Sequence, residues 1–433
     1  MLLPLPPLAA TALRDAQQLI AAGRLAEAAA AAKRARAAAP SHAAIPSGIA
    51  EALARKGLAR EALQQRFLAC HLAPDDPVAR RALADALPGA DLTGAIPAVR
   101  GQLARLLWAT DVSPLDIGPI VLPLLRPHPG FARLATPGGI ELLLDEPECQ
   151  ALLAHPLWQA LLARSLQTEP TLELLLTRLR QAALQRHAAG TPAGLLAPGL
   201  EPLAALALQA DLGANAWPER PEETTAVEAL QAALEAAPPA ALDASALLLA
   251  CYRPLPGWPL PPPAEDGLLR AAWERLVEEP RRRAALGAAL PALTPVADAT
   301  STAVRAQYEA NPYPRWIATN LPRPRPLAEV IRRLFPWVPA AGLPARQPLQ
   351  VLVAGCGTGE QAVRTARRFS DAEVLAVDLS RASLGHAALR ASQLGLDNLT
   401  FAQADLLRLG GLGRSFDVIE AVGVLHHLAD PLA

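Results

Sequence analysis

Four apolar runs near the carboxy terminus, the first broken by three glycines, limit the possible folds more than any other feature of this chain. They are "LQVLVAGCGTG" (349–359), "AEVLAVDLS" (372–380), "LTFAQADL" (399–406) and "FDVIEAVGVL" (416–425). The first is a continuous apolar run that ends in glycines, the second ends at Asp378 and the third near Asp405, so the set reads as buried strands. Helical patterns from Glu360 to Phe369 and from Arg381 to Leu394 separate the first three. Buried strands alternating with helices form right-handed βαβ units. The expectation is therefore an α/β, Rossmann-like, doubly wound parallel sheet.

In such a sheet a ligand sits beyond the carboxyl ends of the strands, where the strand order reverses. Gly355, Gly357 and Gly359 follow the first run at once. A side chain there would block the turn or hold the backbone away from a ligand. The helix opening near Glu360 would aim its first N–H groups at an anionic group. Asp378 closes the second run, 23 residues beyond Gly355. Its two acceptor oxygens suit the vicinal hydroxyls of a ribose. Asp405, after the third run, is placed to accept from an adenine amino group, with the Leu406 N–H meeting a ring nitrogen. Together these residues describe an adenosine held at three points. A dinucleotide site shares the strand, the glycine turn and the later acid, but its third glycine would fall at position 360, which is Glu360.

The stretches "VLVAGCGTGEQA", "VLAVDLS", "FAQADLL" and "FDVIEAVGVLHHLADP" resemble the class I S-adenosylmethionine (SAM) dependent methyltransferases that carry a VLHHL segment after the fourth strand. "YEANPYPRW" (Tyr308 to Trp316) is similar to a segment upstream of the glycine motif in bacterial TPR-containing members. The resemblance implies SAM as cofactor, bound by Gly355, Gly357, Gly359, Asp378, Asp405 and Leu406, with no catalytic residue assigned. It departs from the family pattern at Val353, where many members carry an acid. It further implies a seven-stranded sheet ordered 3-2-1-4-5-7-6. Only four runs precede Ala433, so a fragment or truncated gene product is expected. Its fourth strand would be an aggregation-prone edge, which puts activity of the chain as given in question.

Flanking residues admit two readings each. Tyr313 and Arg315 would form a lid, with Arg315 on a carboxylate, or "NPYPRW" would simply anchor the helical region. His426 and His427 would face an acceptor, or cap a helix start in solvent. Glu420 would line the site or end the strand. The fourth run lacks the [DN]PPY sequence of resembling DNA and glutamine-amide methyltransferases.

The amino-terminal part repeats itself. Gly23, Glu27, Ala28 and Pro40 recur as Gly57, Glu61, Ala62 and Pro74, each displaced by 34 residues, the TPR period. The expected division is TPR-like repeats over 1–90, a helical middle over 91–300 cut by many of the chain's 44 prolines, a connector over 301–346 and a partial methyltransferase domain over 347–433. His128, His155 and His187 are isolated and read as packing or solvated residues.

Forty basic against 41 acidic residues remove a whole-chain electrostatic case for nucleic acid or anionic membrane as partner, and no metal site is suggested. Four scattered cysteines form no CxxC and fit a reducing cytoplasm. The longest stretch without Asp, Glu, Lys or Arg, Cys149 to Ala163, is shorter than the ~18 residues of a spanning helix. The leading expectation is a cytoplasmic SAM-dependent methyltransferase whose TPR region binds a protein or peptide. The alternative is a non-enzymatic TPR interaction protein carrying a degenerate methyltransferase fold.

Overall fold

The computed structural model describes residues 4–92, 97–136, 140–190, 195–339 and 347–428, without the side chains of Glu141 and His427. Two compact units emerge, one built from 1–182 with 196–202 and the other from 183–195 with 203–433. No helix among the described residues is long and apolar enough to cross a membrane.

The first unit opens with α1 (Pro7–Ala21), α2 (Leu25–Ala38), α3 (Ala44–Arg55) and α4 (Ala59–Leu72). The two hairpins repeat turn for turn. Gly23 and Gly57 both adopt left-handed φ, +79° and +80°. The next amide then reaches back five residues in each turn, Arg24 N–H to Leu19 O at 2.9 Å and Leu58 N–H to Leu53 O at 3.0 Å. Only glycine takes that conformation without strain, which explains its recurrence at an interval of 34. Ala28 and Ala62 are buried in the helix-packing layer, where a methyl group lets backbones approach closely. Farther along, His128 and His155 each precede a proline and cap a short helix. Their Nδ1 atoms accept from Gly130 N–H and Leu157 N–H, both at 3.1 Å.

The second unit contains the sheet. β1 (Leu349–Ala354), β2 (Ala372–Asp378), β3 (Leu399–Gln403) and β4 (Val418–Glu420) are all parallel, in the order β3-β2-β1-β4. The helices Glu360–Arg368 and Arg381–Gln393 begin at the residues the pattern marked and end one residue earlier. Alternate strand residues face opposite ways. Val351, Val353, Val374, Ala376 and Phe401 pack on Ala362, Val363, Leu384 and Ala387 of these helices. Leu352, Ala354, Leu375, Val377 and Ala402 face the other side, against Leu293, Leu406 and Phe416. Burial on both faces is what a parallel sheet requires.

Residues upstream of the sheet also hold it. Leu293 N–H donates to Gln403 O at 2.8 Å and Gln403 N–H to Pro291 O at 2.9 Å, so residues 291–294 bridge the outer edge of β3 at its carboxyl end. The helix Glu279–Ala289 crosses Arg381–Gln393 at Gly287 and Gly385, so closely that a Cβ on Gly385 would lie 2.2 Å from Arg283 O. Beside that crossing, Arg390 donates to both oxygens of Glu279 at 2.7 Å, and both side chains are 6% exposed.

Candidate functional site

A cavity of about 450 Å³ opens at the carboxyl ends of the strands. Gly355, Gly357, Asp378, Asp405 and Leu406, all named from the sequence, line it together. The turn after β1 is held by a shared acceptor, since the N–H groups of Gly355 and Cys356 both donate to Val377 O, at 2.8 and 2.9 Å. Gly357 has φ +53°, and a Cβ there would meet only Tyr313 O, at 3.8 Å. It would project into open space beside the turn, the signature of a backbone kept bare for a ligand. Gly359 has another task. It is absent from the described cavity wall, and a Cβ on it would lie 2.4 Å from Ala387 Cβ. Its bareness lets two helices meet.

Asp378 fixes the turn from β2. Its Oδ2 accepts from Gly357 N–H at 2.8 Å and its Oδ1 from Ser380 N–H at 2.9 Å. Burial pushes the carboxyl up from its ordinary value, and these two amides pull it part of the way back. The Leu379 amide acts on it as well, so three backbone donors take up part of the carboxylate's roughly four acceptor sites. Asp405 is 2% exposed. Its Oδ1 accepts from Leu407 N–H at 3.1 Å, and its own N–H donates to Thr294 Oγ1 at 2.7 Å. The strap along β3 thus also fixes the second acid. The cavity volume falls within the range of roughly 300 to 1,000 Å³ usual for ligand sites, and with the bare turn and the two acceptor groups it fits an adenosyl ligand.

The segment before the fold is an anchor. Trp316 Nε1–H donates to Thr358 O at 2.8 Å, Thr358 Oγ1 to Pro314 O at 2.7 Å and Thr319 Oγ1 to Glu360 Oε1 at 2.6 Å. Arg315 does not reach the cavity wall; its Nη1 lies 3.7 Å from Asp211 Oδ1. Tyr313 lines the cavity and is 74% exposed. Glu309 accepts from the first two amides of the Arg381–Gln393 helix, at 2.7 and 3.1 Å. Beneath Trp316, His386 is buried with Nε2 2.9 Å from Trp316 O. Burial and the charges of Arg390 and Arg283 drive its imidazole well below its ordinary range, so it is a neutral donor.

Of the remaining candidates, His426 lies at the cavity rim, exposed, while the side chain of His427 falls outside the described residues. Glu420 turns elsewhere, accepting from Gln361 Nε2 at 2.9 Å and Thr365 Oγ1 at 2.6 Å and so tying β4 to the helix after the turn. Val353 is buried in the layer beneath that helix. Burial pushes the Cys356 thiol well up, and nearby Asp378 adds to this, which disfavours the thiolate. Sequence reasoning missed Ser301, Val304 and Tyr308, which cover the cavity from the helix Ala299–Ala310. Their spacing of three and four marks one helical face and was a usable signal.

Comparison with known proteins bears on the fold that carries this cavity. A family model for a methyltransferase domain matches residues 351–433. Over 166 residues the chain is 32% identical to an uncharacterized protein of Synechococcus sp., covering 35% of each chain. That stretch is longer than the family match, so the likeness reaches well upstream of residue 351. Over 88 residues the chain is 41% identical to a trans-aconitate 2-methyltransferase of Deinococcus radiodurans, covering 20% of this chain and 31% of that protein. The chain spans about a third of the length of these curated relatives. Its carboxy-terminal part is a methyltransferase domain with a four-stranded parallel sheet, preceded by a long all-helical region.

Proposed function

We propose that the chain holds S-adenosylmethionine at the β1 turn and serves a methyltransferase whose helical repeats, TPR-like in period, bind a protein or peptide. The carrying observation is that Asp378, Asp405 and the bare turn at Gly357 line one cavity. In this reading Asp378 accepts from the ribose hydroxyls, Asp405 and the Leu406 N–H meet the adenine, and Gly355 and Gly357 admit the sulfonium and its amino-acid tail. The bound group supplies an activated methyl on a sulfonium. The chain's part is to align it with an acceptor and to exclude water, for which Val304, Tyr308 and Tyr313 stand over the opening. The named activity of the Deinococcus relative makes a carboxylic acid one acceptor class to assay. A reducing cytoplasmic setting accords with four free, buried cysteines.

Calorimetric titration with S-adenosylhomocysteine tests the assignment. Charge-assisted hydrogen bonds of about 1.5 to 3 kcal/mol imply that Asp378→Ala weakens binding roughly ten- to a hundredfold. Unchanged affinity would defeat the ribose role. Val353, buried where many resembling proteins carry an acid, favours a second reading in which the fold binds partners without catalysis. Methyl transfer by the protein to any component of a cell lysate eliminates that second reading.

A further inference from the structure

Arg364 is the one arginine or lysine among the described residues that line the cavity. It makes no hydrogen bond or ion pair with any described residue, and its Nε is buried without a partner. The acidic wall residues are all engaged. Glu360 accepts from Thr319, Asp378 from Gly357 and Ser380, and Asp405 from Leu407. A guanidinium carries five donors in a rigid fork, and a buried donor left unmatched is costly. Such a group in a ligand cavity is matched by a ligand.

Its position narrows the chemistry. Arg364 rises from the helix that Gln361 and Thr365 tie to Glu420 of β4, whereas Asp378 and Asp405 stand at the ends of β2 and β3. The cation therefore comes from a different element than these two aspartates, one turn beyond Glu360 on its own helix. A ligand gripped by both therefore has a hydroxyl- and amine-rich end and an anionic end. Three carboxylates on the same wall would repel a dianionic phosphate. A singly charged carboxylate matches the fork with two parallel N–H···O bonds and little repulsion.

We propose that Arg364 is a carboxylate-binding residue of this cavity. The proposal rests on the reading that the acid side holds an adenosyl group. The carboxylate is then either that of the cofactor's amino-acid tail or that of an acidic acceptor.

Three ligands separate the possibilities in calorimetric titrations of the 433-residue chain and its Arg364→Gln and Arg364→Lys forms, after thermal unfolding shows all three folded alike. S-adenosylhomocysteine carries the tail carboxylate. Methylthioadenosine is the same thioether nucleoside without it. Tricarballylate, added with the nucleoside site filled, stands for an acidic acceptor. If the tail is the partner, Arg364→Gln weakens S-adenosylhomocysteine about tenfold or more and leaves methylthioadenosine unchanged. If an acceptor is the partner, both nucleosides bind as before and tricarballylate binding is lost. Lysine restores part of whichever loss occurs. A glutamine form equal to the parent in all three titrations overturns the proposal alone. A parent chain that takes neither nucleoside overturns the cofactor reading, and the proposal with it.

Discussion

Glu279→Gln is expected to cost about 3 kcal/mol of folding stability at neutral pH, by an amount that depends on pH in a defined direction. Burial by itself would push this carboxyl up. The attraction of Arg390 and its two hydrogen bonds outweigh that, holding it at about 2 against an ordinary 4.5. Each pH unit of that gap is worth about 1.36 kcal/mol, so the ionised pair contributes about 3 kcal/mol, in line with the roughly 3 to 5 kcal/mol lost when one partner of a buried pair is removed. Because the folded value is the lower one, the contribution is complete above about pH 5 and declines as pH falls from there towards 2. Glutamine keeps the shape but leaves Arg390 facing a neutral amide in a site only 6% exposed. Urea unfolding of parent and variant from pH 3 to 8 measures the difference. It should be constant from pH 6 to 8 and shrink steadily below pH 5. A difference under about 1 kcal/mol at pH 7, or one that does not change with pH, would refute the reasoning. Adding Arg390→Met should recover much of the loss, since the stranded charge is then gone.

Two further outcomes follow from the packing. Gly385→Val drives a side chain into Arg283 O, 2.2 Å from the added Cβ, so thermal unfolding should shift down by the equivalent of about 3 kcal/mol or more; a variant as stable as the parent would mean that the helix crossing is looser than described. His155 is held below its ordinary 6.5 by burial and by His128 and Arg100, and its Nδ1 must be unprotonated to cap the helix at Leu157. The cap's contribution is therefore present above about pH 6.5 and lost as pH falls through the lower folded value. His155→Asn keeps a cap that does not titrate, so urea unfolding should show less loss between pH 7.5 and 5 than in the parent.

Much of the sheet could be read directly, because each strand carries its own apolar run and each crossover helix its own start. Ser380 accepts from Ser383 N–H at the head of one helix, and Gly359 opens the other with φ +86°. The cavity acids were legible for the same reason, being the residues on which the second and third runs end. Long-range partnerships were not legible. Nothing near Arg315 in the chain announces Asp211, more than 100 residues upstream, so a cation beside the fold read equally well as facing a ligand. Glu279 and Arg390 meet across a separation of 111 residues. The segment at 291–294 bridges to β3 although Pro291, which opens it, and Pro295, which follows it, argue against a strand. The repeat at 34 residues did forecast two matching helical hairpins, since a left-handed turn needs glycine and leaves a mark that composition alone does not.

That paired segment has an effect on growth of the sheet. With Pro291 and Leu293 bonded to Gln403, the carboxyl end of the outer rim of β3 is already taken on that flank. On the opposite flank Ile419 and Val422 are 63% and 65% exposed, and among the described residues no strand lies outside β4. The open rim is therefore more apolar at β4. Intermolecular association through this sheet, in a concentrated sample, would begin at β4, and charged replacements at 419 and 422 are where solubility would be gained.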